Sequence, residues 1–217
     1  MTFNATLCAL ALPALALAMP VAASNVDLRV VGSILPDAAC AMTVGNGAVN
    51  LGRINLSDLN ADPTKPTYLG ERVVKMEIHC ASNTRYALLL SSTSQSAGDE
   101  LDLGLVSTAD QSKVGSLNVL LDGGAALVDG ARGYYTFAEA GDLTHASWGP
   151  SADSTLPLRT RYAMGFVKTH GSTEAPPAIK DASTRLLVRP SIKPSNEIDL
   201  SNEISFAGDM TFEMRYL

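Results

Sequence analysis

Polar and apolar positions alternate with a period of two along much of this chain, and helical periodicity is almost absent. The clearest run begins at Val74. Val74, Met76, Ile78 and Cys80 point one way while Lys75, Glu77 and His79 point the other. Successive side chains of an extended backbone leave on opposite faces, so this run predicts a half-buried strand. Residues 85–90 are expected as its neighbour, with Asn83-Thr84 in the turn between them. Further candidate strands are residues 48–54, 117–121, 133–138, 156–167, 185–190 and 206–216. Between them, Gly45-Asn46-Gly47, Asp122-Gly123-Gly124 and Asp129-Gly130 supply residues that tolerate positive φ. Strands separated by such turn chemistry predict an all-β antiparallel sandwich. Residues 91–100 and 169–182, the latter with Pro176-Pro177, read as loops of one domain, and no internal repeat is visible.

The first residues have a different pattern. Residues 1–23 contain no Asp, Glu, Lys or Arg, and residues 7–19 are an apolar run interrupted only by Pro13. Pro20-Val21-Ala22-Ala23 follows, small residues of the kind a signal peptidase reads, so a secretory signal peptide over 1–23 with cleavage before Ser24 is expected. The alternative is an uncleaved anchor, but a bilayer span needs about 20 apolar residues, and no later stretch is long and apolar enough to cross a membrane. Cleavage would leave 194 of the 217 residues, a length that suits one all-β domain, with two small ones as the alternative. Every charged side chain lies in that part, so it keeps the net charge of −6, which argues against a nucleic-acid or anionic-membrane partner.

Export also decides how the three cysteines are read. Cys8 falls in the signal segment, leaving Cys40 and Cys80. A pair in an oxidising compartment is expected to form a disulfide, worth roughly 4 kcal/mol for a loop of that size in the chain-entropy model. Two buried free thiols are the alternative. Nothing points to a metal, a cofactor or a catalytic residue. His79, His145 and His170 lie far apart and read as solvated surface residues, and no Gly-x-Ser-x-Gly elbow occurs. Gly123-Gly124 lacks the lysine of a phosphate loop and reads as a hairpin turn.

The two ends of the exported part carry the functional signal. Val26, Leu28 and Val30 alternate with Asp27 and Arg29, continue through Gly32 and Ile34, and lead through Pro36-Asp37-Ala38-Ala39 into Cys40. At the other end Met210, Phe212, Met214 and Tyr216 alternate with Asp209, Thr211, Glu213 and Arg215, followed by Leu217. A strand with so clean an alternation is expected to bury one face.

These two ends, the segment Leu156-Pro157-Leu158-Arg159-Thr160-Arg161-Tyr162, the cysteine spacing and the penultimate tyrosine together resemble subunits of the chaperone–usher pilus system. The likeness is greatest to the uncharacterised fimbrial-type proteins found beside chaperone and usher genes. The resemblance implies a pilin-like, immunoglobulin-like β-sandwich over 36–217 that lacks its final strand. Residues 24–35 would then be an N-terminal extension that completes a neighbouring subunit, with Val26, Leu28, Val30, Gly32 and Ile34 as its donor strand, a form of β-augmentation. Met210, Phe212, Met214, Tyr216 and Leu217 would form the strand that a periplasmic pilus chaperone contacts. An outer-membrane usher and other fimbrial subunits would be the remaining partners, with a host receptor as an optional one, and the protein would travel through the periplasm to a fimbria on the cell surface. It would be a structural, non-enzymatic subunit with no cofactor.

Burying Val26, Leu28, Val30 and Ile34 would contribute at most about 6–12 kcal/mol, too much to leave on a solvated tail. The same figure holds if residues 24–35 are the first strand of their own sandwich, so this alternative stays open. Two other functions compete. A tip adhesin or glycan-binding module could use a surface patch in residues 138–182 around Trp148, whose plainer reading is a partly buried loop anchor. A periplasmic enzyme would need a convergent acid–base pair, and the sequence offers none.

Overall fold

The computed structural model describes residues 39–94 and 101–217. The expected signal peptide and the 24–35 segment lie outside the described residues. In chain order the strands are β1 (Cys40–Val44), β2 (Thr67–Tyr68), β3 (Arg72–Thr84), β4 (Tyr86–Ser91), β5 (Leu105–Ser107), β6 (Lys113–Leu121) and β7 (Leu127–Val128). They continue with β8 (Ala131–Arg132), β9 (Tyr134–Glu139), β10 (Leu156–Pro157), β11 (Tyr162–Val167), β12 (Ile179–Ile192), β13 (Phe206–Ala207) and β14 (Thr211–Tyr216).

They form two antiparallel sheets packed as a sandwich, as the alternation predicts. The larger sheet runs β1-β3-β12-β6-β5-β13, with short β2, β7–β8 and β10 attached, and the smaller runs β14-β4-β11-β9. The inward faces of both sheets supply one core. Met76, Ile78 and Leu186 from the larger sheet meet Leu88, Met164 and Phe166 from the smaller, and Tyr135 packs edge to face on Phe166 with centroids 5.6 Å apart. The Tyr135 hydroxyl donates to the Asp122 carbonyl at 2.9 Å and pairs with the Thr184 hydroxyl, so this core phenol is satisfied. Burial is the main reason its pKa rises to about 12.

Several expected strands are divided between sheets. Residues 72–84 form β3 without a turn at Asn83-Thr84, and the chain crosses at Arg85 to the opposite sheet. β4 is therefore not the hairpin neighbour of β3 and pairs instead with β11 and β14. The single run expected over 156–167 breaks at a turn in which Tyr162 N–H donates to the Arg159 carbonyl at 3.1 Å. β10 stays with β6 in the larger sheet, and β11 joins the smaller. Residues 206–216 break in the same way around Gly208, where an added Cβ would sit 2.5 Å from the Gly104 carbonyl oxygen. Each break is a sandwich corner, which preserves the local alternation but changes the strand's partners.

Residues 48–54 form no strand. Gly47 and Gly52 take left-handed φ of 76° and 72°, and Asn50 Oδ1 accepts the Gly52 N–H at 2.8 Å, a local turn that competes with an extended ladder. Leu51 and Ile54 still bury against Leu105, Val114 and Ile192. The Asp122-Gly123-Gly124 segment is a short 3-10 turn rather than a hairpin. The tight hairpin is at Asp129-Gly130, where φ of 48° and 78° gives the doubly left-handed turn that suits twisted strands.

Candidate functional site

Backbone hydrogen bonds identify the two edges that frame the site. Just beyond the two ends of β1, the Gly45 N–H donates to the Lys75 carbonyl at 2.7 Å and the Ala39 carbonyl accepts from the Ala81 N–H at 3.1 Å. Antiparallel pairing alternates, so Ala41 and Thr43 also turn their polar groups toward β3, while Cys40, Met42 and Val44 turn theirs away. The Leu217 N–H donates to the Arg85 carbonyl at 3.0 Å, which by the same rule turns the polar groups of Phe212, Met214 and Tyr216 away from β4. Among the described residues β1 and β14 are edges, one in each sheet.

The side chains of those same residues are the apolar ones. Met42, Val44, Met210, Phe212 and Met214 are each half-buried and pack against the common core. Met42, Val44, Met210 and Phe212, together with Val74 and Leu117, border a cleft of about 1640 Å³ that also runs along residues 47–57 and 200–209. The expected buried face of the last strand is therefore present but only half covered, because its apolar side chains look into the cleft. The opposing wall, Met42 and Val44, is missing from the expected strands, although Cys40-Ala41-Met42-Thr43-Val44 carries the same alternation in a shorter run. Leu217 breaks the series. It leaves on the other side and packs with Ala87, Leu89 and Trp148 on the smaller sheet's outer face.

Polar contacts organise both ends of β14. At the head of β14, Asp209 accepts the Thr93 N–H at 2.9 Å and the hydroxyls of Thr93 and Ser94 at 2.7 and 3.1 Å. Burial works to raise the Asp209 pKa, but these hydrogen bonds outweigh it and hold the carboxyl below its ordinary value. At the tail, the Cys40 N–H donates to Tyr216 Oη at 3.2 Å across the gap between the edges. Cys40 is also bonded to Cys80 through the expected disulfide, which joins the first residue of β1 to its cross-strand partner in β3. The donor-strand residues Val26, Leu28, Val30, Gly32 and Ile34 lie outside the described residues.

The other candidates lie elsewhere. His79 sits on the exposed face of the larger sheet, 2.6 Å from Asp181. His145 pairs with Asp142 at 3.1 Å, and His170 lies 3.9 Å from Asp153. Each histidine thus has a separate carboxylate partner, and the three do not converge. Hydrogen bonds from Thr144 and His145 hold Asp142 at a pKa of about 2. No group of three or more potential metal ligands occurs among the described residues. Trp148, the centre of the alternative surface patch, is only 6% exposed and anchors its loop to the outer face of the smaller sheet. Room for it comes from small residues, Ala87, Ala138, Ala163 and Gly165. A Cβ on Gly165 would lie 3.3 Å from the indole and 2.1 Å from Pro176 Cγ.

What the arrangement offers chemically, among the described residues, is a cleft with a largely apolar lining, bordered by Met42 and Val44 of β1 and Phe212 of β14, whose backbone groups face away from β3 and β4. No curated protein and no solved structure matches the chain. Residues 28–114, which include β1, β3 and β4, match the model of a family described as Protein of unknown function (DUF1120).

Proposed function

We propose that this protein is a structural subunit of a chaperone–usher fimbria, assembled by donor-strand complementation and serving surface adhesion. The supporting observation is that Met42 and Val44 of β1 and Phe212 of β14 border one cleft with their apolar side chains, while their backbone polar groups turn away from β3 and β4. An unpaired edge beside exposed apolar surface invites aggregation. One extended segment with alternating apolar residues answers both problems, since its backbone supplies ladder partners and alternate side chains fill the cleft. Residues 26–34 carry such a pattern. In this reading a periplasmic chaperone occupies the cleft first and delivers the subunit to an outer-membrane usher. The corresponding segment of another subunit then replaces the chaperone.

The test is a deletion. A chain lacking residues 24–33 should be exported, form the Cys40–Cys80 bond and co-purify with a two-domain chaperone, yet fail to complete another subunit. If residues 24–35 are instead the first strand of their own sandwich, the deletion costs several kcal/mol and the protein unfolds. Loss of the fold with no separate assembly defect would overturn the proposal.

A further inference from the structure

The alternation that buries Thr67 and packs Leu69 against the core leaves the residue between them pointing outward. Tyr68 is the most exposed large hydrophobic side chain among the described residues, at 79%. Its backbone is nevertheless fixed. Tyr68 stands opposite Ser191 in the β2–β12 pair, the Leu69 N–H donates to the Pro190 carbonyl at 3.0 Å, and Thr67 Oγ1 accepts the Asn60 N–H at 2.8 Å. The outer face of the larger sheet therefore carries an aromatic ring on a firm base. Beside it is a hollow of about 230 Å³. The register assembles its lining, since Arg189 of β12 lies opposite Asn118 of β6, and Leu120 of β6 lies opposite Pro157 of β10. Leu120 and Pro157 are its apolar part, and Asn118 brings a carboxamide with two donors and an acceptor. The Arg189 guanidinium is held by Glu71 at 2.7 Å, so this lining has polar groups without a net charge.

The rest of this face does not suit a protein partner. Lys75 pairs with Glu77, His79 with Asp181 and Arg185 with Asp122, whereas a stable protein interface needs about 800 Å² per partner with few charges at its centre. A hollow somewhat smaller than the about 300 Å³ at which drug-sized sites begin, with an aromatic side chain and a few polar groups, suits one small amphipathic ring. We propose that it binds a single pyranose ring of a neutral glycan. The apolar C–H face of the sugar lies against the Tyr68 ring, and sugar hydroxyls exchange hydrogen bonds with the Asn118 amide. Trp148 is too buried for this role. The hollow shares no lining residue with the cleft, so the inference goes beyond the strand-accepting reading and gives surface adhesion a ligand chemistry of its own.

The experiment probes the oxidised full-length chain on an array of neutral and sialylated glycans and titrates the best neutral one. Wild-type protein should prefer neutral glycans. Tyr68→Ala should weaken binding by about 10-fold or more, because the apolar contact of the ring is lost, and Tyr68→Phe should retain most of the affinity. Asn118→Ala should cost about 2- to 10-fold, the effect of one net hydrogen bond. Val73→Ala, also exposed on this face but outside the hollow, should change nothing. Uptake of a fluorescent peptide with the sequence of residues 24–35 reports on the cleft separately and should be the same in Tyr68→Ala as in wild type. Failure of that uptake in every protein would overturn the cleft reading and leave the glycan site standing. Binding of no neutral glycan, or equal binding by folded Tyr68→Ala and wild type, would overturn the site. Self-association that is lost in Tyr68→Ala, with no glycan bound, would overturn it in favour of a second copy of this chain. If Tyr68→Ala does not fold, Asn118→Ala decides against Val73→Ala, and equal affinities overturn the site.

Discussion

The four-stranded sheet has two edges, and the chain treats them differently. At the β9 edge, Tyr135 and Ala152 exchange N–H···O bonds at 3.0 and 2.9 Å, and the Gly149 N–H donates to the Phe137 carbonyl at 2.8 Å. The chain's own residues 149–152 thus satisfy this edge, and beside them Trp148 and Pro176 close over the glycine of β11. At the β14 edge, Phe212, Met214 and Tyr216 turn their polar groups away from β4, with an ion pair between Glu213 and Arg215 at 2.9 Å on the other face. Among the described residues no strand pairs with the outer side of β14, and this is the side on which the proposed function seats a donor strand, since a bare edge is otherwise a liability.

The comparison breaks most visibly on the covered side. Trp148→Ala should destabilise the fold by about 3–5 kcal/mol, the usual cost of emptying a large aromatic site, read as a lower urea midpoint. Trp148→Phe should recover most of that, because the indole N–H it removes is buried without a hydrogen-bond partner among the described residues. Replacing both Cys40 and Cys80 by Ser should cost about 2–4 kcal/mol and loosen the β1 wall. Deuterium exchange should then rise along β1 and remain slow in β9.

On the cleft side the balance reverses. Phe212→Ala removes a half-buried ring and should lower stability by only about 1–1.5 kcal/mol, while strongly reducing uptake of the residue 24–35 peptide. A stability loss as large as that of Trp148→Ala, with uptake unchanged, would erase the distinction between the edges. The smallest effect concerns pH. Because the folded state holds the Asp209 carboxyl below its ordinary 3.8, its contribution is fully present above that value. It is lost as pH falls through the lower folded pKa. Asp209→Asn should therefore flatten the acid limb of the stability curve below about pH 4, by modestly lowering the midpoint measured by circular dichroism at neutral pH while leaving it nearly unchanged in acid.

Much of this arrangement is legible in the local pattern of residues. The alternation through Val74–Cys80 determined a strand and its buried face, because a period of two is a property of extended backbone alone. Likewise Met210, Phe212, Met214 and Tyr216 fell on one side of β14, Asp129-Gly130 made a tight turn, and the two cysteines left after the expected signal peptide met across β1 and β3. Tertiary structure decided which strands became neighbours. The runs at 156–167 and 206–216 each look like one strand, yet each turns a corner between sheets, because pairing depends on distant residues such as those of β6 or β4. Ala48–Ile54 has strand-like composition, but left-handed glycines and burial against Ile192 made it a loop. Trp148 could be read as exposed or as an anchor until Gly165 and Ala163, far along the chain, supplied the space that buries it. The cleft belongs to the same class. Its two walls come from opposite ends of the described chain, and only packing of the two sheets sets them side by side.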